Sequence, residues 1–255
     1  RSRLPLLRDE RPELVQREDL LGVMHCHSTY SDGRNSIEEM AGGAKARGYR
    51  YIGFADHSQS AAYAGGLKPS DVERQHDEMD RVMAKVAGIR ILKGIESDIL
   101  GDGSLDYDEK VLERFDFVIA SVHSKLSMTE KDATQRLLTA IRNPYTIILG
   151  HPTGRLLLSR AGYPLDFDAI FDACAKHRVG IEINANPHRL DLDWRYLRTA
   201  RERGVRLCIG PDAHSVEGLD DVDYGLGIAR KGWLQKDDLL NCMDAEELLA
   251  WRRTK

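Results

Sequence analysis

Short apolar runs alternate with longer amphipathic segments from residue 21 onward. Runs of this length, bounded by turn residues, predict β-strands, and the segments between them have helical periodicity. Strands that alternate with helices of this length pair in parallel through right-handed crossovers. The pattern therefore predicts an α/β fold, a distorted (β/α)7 TIM-like barrel one unit short of eight. The predicted strands are 21–26, 51–56, 90–97, 116–122, 146–150, 179–184 and 205–210.

Helix boundaries are signalled by polar residues at the starts and glycines at the ends. Two Ser-x-x-Glu sets have the form of a capping box, and a glycine follows each of three helices as a C-terminal stop. The predicted helices are 36–48, 70–87, 130–142, 166–177 and 193–203, with Ser36/Glu39 and Ser70/Glu73 as the boxes and Gly48, Gly88 and Gly204 as the stops. We expect the tail, 218–255, to be helical and to pack against the outside of the barrel.

Two domain-level regions follow from this pattern. Residues 1–20 are charged, contain two prolines and precede the first convincing strand, so they are interpreted as a linker or N-terminal extension. Residues 21–255 are interpreted as one domain, because 255 residues suffice for one large barrel with a real core.

Composition and charge limit the cellular compartment and the partners expected for the protein. No apolar run approaches the roughly 18 residues of a membrane span and no signal segment opens the chain, so we expect a cytoplasmic protein with no membrane partner. The four cysteines lack CxxC pairing and are expected to be buried thiols. A net charge of −4 argues against nucleic-acid binding through bulk positive charge. Bound divalent ions would instead supply positive charge at one spot.

Metal-type ligands stand at or just after the ends of the predicted strands. The carboxyl ends of parallel strands share one face of a barrel, which indicates a polynuclear metal site at its mouth. Alternation along a strand brings His25 and His27 out together, with Cys26 facing the other way. The candidate ligands are His25, His27, Asp32, His57, Glu96, His123, His151, Asp212 and His214.

These motifs resemble the polymerase-and-histidinol-phosphatase (PHP) superfamily. The resemblance is carried by His25-Cys26-His27, Ser31-Asp32-Gly33, Ala55-Asp56-His57-Ser58, Gly94-Ile95-Glu96, Ser121-Val122-His123, Gly150-His151-Pro152 and Asp212-Ala213-His214. Segments 102–107, 151–166 and 182–194 further resemble the PHP domain of bacterial family X DNA polymerases. No nucleotidyltransferase or helix-hairpin-helix region occurs in these residues, so the resemblance implies an N-terminal polymerase domain as a candidate partner in a longer parent protein.

The resemblance implies three metal positions. His25, His27, Glu96 and Asp212 would hold the first; Glu96, His123 and His151 the second; Asp32, His57 and His214 the third. Mixed imidazole and carboxylate donors suit Mn²⁺, Zn²⁺ or Fe²⁺, and the resemblance favours manganese. The resemblance implies hydrolysis of phosphoesters. From the chemistry of paired ions we expect a hydroxide bridging the first two metals to be the nucleophile and the third metal to hold a phosphate oxygen.

Other polar residues near the ligands are candidate substrate contacts. Arginines in the loops after strands five and six could hold phosphate oxygens, and two polar residues directly follow a ligand strand. These candidates are Arg155, Arg160, Arg189, Ser124 and Lys125. His188 could donate a proton to the leaving group or could be a solvated loop residue. Support of the ligands is expected from Glu182, Asn184 and Asn186. Tyr63 could stack on a base, although packing of its loop is the plainer interpretation.

Several functions remain open at this stage. The leading hypothesis is a manganese-dependent 3′–5′ exonuclease module that acts on a DNA 3′ end. The alternative is a phosphomonoesterase of the histidinol-phosphatase type that acts on a small phosphate ester. A scaffold domain would be expected to have lost ligands, and an amidohydrolase fits the Asp56-His57 motif and Glu96 less well.

Overall fold

Seven parallel strands form the centre of the molecule. The computed structural model describes residues 12–253. The strands pair in chain order, and an isolated parallel bridge between Cys26 and Ala213 joins the last to the first. The predicted distorted (β/α)7 barrel is thereby confirmed. The strands are β1 Gly22–Cys26, β2 Tyr51–Phe54, β3 Arg90–Asp98, β4 Phe117–Ser121, β5 Thr146–Leu149, β6 Gly180–Asn184 and β7 Leu207–Gly210.

Eight α-helices accompany the strands within the described residues. They are α1 Ile37–Ala46, α2 Pro69–Lys85, α3 Glu109–Leu112, α4 Glu130–Arg142, α5 Phe167–His177, α6 Trp194–Glu202, α7 Val222–Lys231 and α8 Ala245–Arg253. The sequence did not predict α3, because a single turn is too short to show helical periodicity.

The two expected capping boxes had different outcomes. Ser36 accepts a hydrogen bond from the Glu39 N–H and begins α1, as predicted. The prediction of a capping box at Ser70 was wrong. α2 begins at Pro69, and Asp71 accepts a hydrogen bond from the Lys68 N–H. Proline fits the first helical position because its fixed φ is already helical and no partner is needed for its missing N–H.

Two apolar cores lie on opposite sides of the strands. The larger core fills the space between the strands and the surrounding helices. The smaller core lies inside the barrel, and Met24, Leu92 and Phe117 pack there against Leu240 and Leu248. The tail was predicted to be helical and to pack against the outside of the barrel, and it contains α7 and α8. α7 packs on β6 and β7, whereas Leu248 of α8 helps to close the end of the barrel where the strands begin.

The segment before β1 is partly described. Val15 is buried, and its N–H donates to the Leu234 carbonyl at 3.1 Å. Residues 1–11 lie outside the described range, so the division of the chain at residue 20 stays a prediction. All four cysteines are free and buried, as expected. Between residues 12 and 253, no helix has the length and apolar character required to cross a membrane.

Candidate metal centre

The end of β1 carries two candidate ligands because the strand contains a bulge. Val23 pairs with Ile52 and Cys26 with Phe54, so β1 has one more residue than β2 between these pairs. His25 adopts a left-handed backbone with φ of 62°. As a result, Met24 lies in the core inside the barrel and His25 still points to the mouth, whereas Cys26 packs outward. Strained backbone of this kind is common at functional sites.

Glu96, at the inner face of β3, lies at the centre of the cluster. One of its oxygens, Oε1, is 2.8 Å from His151 Nε2, 3.2 Å from His123 Nε2 and 3.3 Å from His25 Nε2. Its other oxygen, Oε2, is 3.1 Å from His57 Nδ1. A single carboxylate therefore reaches imidazoles from β1 and from the loops after β2, β4 and β5.

Two further carboxylates complete the cluster. Asp212 Oδ1 is 3.2 Å from His27 Nε2. Asp32 Oδ1 is 3.2 Å from His214 Nε2, and Asp32 Oδ2 is 3.6 Å from His57 Nε2. Asp212, like His25, has a positive φ, of 54°. All nine candidate ligands thus converge at the mouth of the barrel.

Within the part of the chain that the structure describes, three sets of atoms are close enough together to hold metal ions. In each set the potential ligand atoms lie within 4.8 Å of one another, and the sets are His27, Asp32, His57 and His214; His25, His27 and Asp212; and His57, Glu96 and His123. The first contains the whole third position implied by the resemblance. The second set lacks Glu96 of the first implied position. In the third set, His57 stands with Glu96 and His123 in place of His151.

The pKa values of Glu96 and His27 are shifted toward the protonation states that bind metals, whereas those of His25, His123 and His214 are raised. Burial alone would raise the pKa of Glu96, but His25, His123 and His57 hold it well below its usual range. Burial lowers the pKa of His27 to about 3. An ionised carboxylate and a neutral imidazole are the protonation states that bind divalent metals.

Unsatisfied nitrogen atoms test whether the residues fit metal ions. Among the described residues, buried ring nitrogens without a hydrogen-bond partner include Nε2 of His25, both nitrogens of His27 and Nδ1 of His57. Buried polar atoms are almost always paired. These atoms face the cluster, and the mixture of imidazole and carboxylate suits transition metals, so the residues fit the metal ions that the fold implies.

Carboxylates behind the cluster orient the candidate ligands. Glu182 Oε1 is 2.5 Å from His25 Nδ1, and its Oε2 accepts the His151 N–H at 2.7 Å. Asn184 donates to Asp212 Oδ2 at 3.2 Å. A Cβ at position 210 would collide with Glu182 Oε1, so glycine there makes room for this carboxylate. The expected supporting role fits the positions of Glu182 and Asn184, whereas Asn186 Oδ1 accepts the His188 N–H in the loop.

Asp98 is a supporting residue that was not predicted from the sequence. Its Oδ1 is 2.5 Å from His123 Nδ1, in the arrangement that fixes the orientation of a metal-binding imidazole. Asp98 lies two residues after Glu96 on the same face of β3, so strand alternation was the available signal. Asp56 has a different part. It accepts hydrogen bonds from Ser28, Ser31 and Gln75 and fastens the loop that carries Asp32.

The three candidate arginines have different surroundings. Arg189 Nε is 3.4 Å from Asp212 Oδ2, so this guanidinium lies beside the cluster. Arg155 donates to Asp193 Oδ2 at 2.9 Å and to the Arg189 carbonyl at 2.9 Å. Arg160 donates from two nitrogens to the Gly154 carbonyl. Arg155 and Arg160 therefore hold the loops together, and their contact with substrate stays a prediction.

The remaining candidates lie at the exposed edge of the mouth. Ser124 and Lys125 are exposed, and the Ser124 carbonyl accepts a hydrogen bond from Arg136. His188 is exposed. Within residues 12–253, His188 belongs to none of the groups of side chains that could hold a metal ion. Substrate contact by Ser124 and Lys125, and proton donation by His188, stay predictions.

Comparison with known proteins assigns the family. The profile of the PHP domain family matches residues 24–186. The DNA polymerase/3′-5′ exonuclease PolX of Bacillus subtilis is 44% identical over 239 residues, which cover 94% of this chain and 42% of that protein. A probable phosphatase of Caldicellulosiruptor saccharolyticus is 32% identical over 199 residues, covering 74% of this chain and 78% of that protein.

Solved structures share the fold. The putative histidinol phosphatase hisK of Listeria monocytogenes superposes with a TM-score of 0.63 at 15% identity, covering 77% of this chain and 96% of its own. A histidinol phosphate phosphatase of Lactococcus lactis, complexed with zinc, L-histidinol and phosphate, gives 0.57 at 18% identity, covering 82% and 94%. The chain belongs to the PHP domain family, which confirms the resemblance, and it is a metal-dependent phosphoesterase.

Proposed function

We propose that this chain is the manganese-dependent 3′–5′ exonuclease module of a family X DNA polymerase, which removes nucleotides from a DNA 3′ end. Its principal support is the 44% identity to the Bacillus subtilis protein across 94% of this chain. The chain spans less than half of that relative, so a polymerase domain in the same parent protein is part of the proposal. The complete set of nine ligand-type side chains supports a catalytic rather than a scaffold role.

The proposed ligand assignment follows the three positions set out above. Glu96 would bridge two positions, because its two oxygens approach imidazoles on different sides. Divalent ions at such a site act as Lewis acids and lower the pKa of a bound water. Glu182 and Asp98 would fix the rings of His25 and His123 so that Nε2 of each ring faces the cluster.

Arg189 would bind the phosphate of the substrate. Its guanidinium has a fork of N–H donors suited to phosphate oxygens, and its Nε lies 3.4 Å from an Asp212 oxygen. Arg155 would position it indirectly, since the Arg155 side chain donates to the Arg189 carbonyl. Local charge of this kind could hold a DNA end on a protein whose net charge is −4.

A phosphomonoesterase acting on a small ester is the second candidate. The observation in its favour is the 32% identity to a probable phosphatase of which this chain covers 78%. The two candidates share metals and reaction and differ in the substrate that the mouth admits.

One assay separates them. Metal-stripped protein is reloaded with Mn²⁺, Zn²⁺ or Mg²⁺ and given a 5′-labelled single strand or histidinol phosphate. Stepwise shortening of the strand by single nucleotides, strongest with Mn²⁺, is the expected result. Turnover of the small ester alone would favour the second candidate. An Asp212→Asn protein purified in parallel controls for contaminating nucleases, since it should cleave neither substrate.

A further inference from the structure

An exposed aromatic side chain stands at the rim of the metal centre. Tyr63, in the loop after β2, has 74% of its surface exposed. Its ring centroid lies 6.3 Å from that of His57, a candidate ligand. The sequence favoured packing of this loop as the role of Tyr63, and the exposure of the ring contradicts that interpretation. A large aromatic ring left in water beside a catalytic centre is available for a ligand.

The backbone that carries Tyr63 is held firmly against the centre. Leu67 N–H donates to the His57 carbonyl at 2.9 Å, and Ser58 and Leu67 form a β-bridge. A Cβ at Gly66 would collide with the Ser58 carbonyl oxygen, so the loop closes tightly on itself. These contacts fix the backbone of the loop next to His57, so they limit the region of the mouth that the Tyr63 ring can reach.

We propose that Tyr63 is the stacking platform for the base of the 3′-terminal nucleotide, which makes it a nucleobase subsite of the mouth. The proposal rests on the proposed exonuclease function. Every base offers a π face, so stacking on an aromatic ring binds a strand end without selecting its sequence. This tolerance is what an enzyme that removes successive nucleotides needs.

The arrangement of the mouth is consistent with this subsite. β2 and β6 are separated by two strands around the closed ring, so Tyr63 and Arg189 approach the metals from different sides. A phosphate held near Arg189 would leave its nucleoside room to extend toward Tyr63.

The test compares two oligonucleotides that differ only in the terminal base. One ends in thymidine and the other in an abasic tetrahydrofuran residue. With Tyr63→Ala we expect KM for the thymidine strand to rise about tenfold, while KM for the abasic strand stays within about twofold of the wild-type value. Tyr63→Phe should keep the wild-type preference, because it keeps the ring.

A matched control removes another exposed aromatic ring. Trp233 follows the end of α7, at the opposite end of the barrel from the metals, and is 47% exposed. Trp233→Ala should leave both KM values unchanged. A direct readout is the fluorescence of a terminal 2-aminopurine, followed by stopped flow before release. Stacking should quench it with wild-type protein and with Tyr63→Phe, and should not with Tyr63→Ala.

Each other result has a definite meaning. An equal rise in KM for both strands with Tyr63→Ala, or fluorescence quenching that survives this substitution, would overturn the stacking role. A loss of kcat with Tyr63→Phe would also overturn it, by assigning the hydroxyl a part in the chemistry. Wild-type protein that releases no nucleotide from either strand would overturn the exonuclease proposal itself, and the nucleobase subsite with it.

Discussion

Replacing Glu182 by glutamine tests whether a carboxylate behind the candidate ligands controls metal binding. Glu182 is fully buried and makes three contacts, to His25 Nδ1 at 2.5 Å, to the His151 N–H at 2.7 Å and to Asn184 at 3.2 Å. Glutamine keeps the volume but turns one oxygen into an NH2 group. Either the His25 ring N–H or the His151 backbone N–H then faces a donor instead of an acceptor.

The expected losses of stability and metal affinity follow from these contacts. A hydrogen bond to a charged group contributes about 1.5–3 kcal/mol, and a buried donor left without an acceptor costs about 1–3 kcal/mol. The free energy of unfolding of Glu182→Gln should therefore fall by roughly 3–5 kcal/mol. Loss of a supporting carboxylate typically weakens metal binding about 10- to 100-fold, and we expect that range here because His25 is no longer fixed by a charge.

Metal affinity is measured by competition with a chromogenic chelator, and stability by urea unfolding of the metal-free protein. Glu202→Gln serves as the control. Glu202→Gln is the same substitution at the surface, where Glu202 pairs with Arg198 at 2.8 Å. Exposed ion pairs contribute little to stability. Wild-type metal affinity in Glu182→Gln would refute the argument that this carboxylate orients the ligands.

Two substitutions and one measurement of proton release test separate parts of the site. Asp98→Asn removes the charge that fixes the His123 ring and should weaken metal binding about 10- to 100-fold; wild-type affinity would show that the 2.5 Å contact has no such role. Arg189→Gln should raise KM for an oligonucleotide about tenfold and change kcat less, as expected when a ground-state phosphate contact is lost; an unchanged KM would exclude that contact. Metal binding should release protons and weaken as pH falls below about 9. Burial opposes protonation, but the neighbouring carboxylates prevail and raise the pKa of His123 to about 10 and of His214 to about 9, so a metal must displace these protons. Calorimetry in two buffers of different ionisation enthalpy measures the release, and identical apparent enthalpies would contradict it.

Much of this site was predictable because strand ends are visible in a sequence. Each candidate ligand follows an apolar run, and parallel strands bring such ends to one face whatever the helices between them do. The bulge in β1 was not predictable, because no glycine or proline marks it and His25 itself takes the left-handed backbone. Alternation alone gave the correct outcome for His25 and His27 because the bulge lies between Val23 and Cys26 and leaves the alternation from His25 to His27 intact.

Contacts between distant loops were the part that the sequence could not supply. Arg155 and Arg189 follow neighbouring strands and look equivalent as phosphate-binding candidates. Only the fold shows that Asp193 and the Arg189 carbonyl engage the first, while the second lies beside Asp212. Asp98 was missed for a local reason, since β3 extends one residue beyond its predicted end.

Anomalous diffraction from crystals soaked in zinc or manganese tests the central claim most directly. The claim is that the nine side chains at the mouth of the barrel bind divalent metals together. The account predicts anomalous peaks within the cluster, with imidazole nitrogens about 2.0–2.1 Å from each ion in the zinc soak, and with Glu96 contacting two of them. Peaks only elsewhere on the surface, with none among these side chains, would contradict the account.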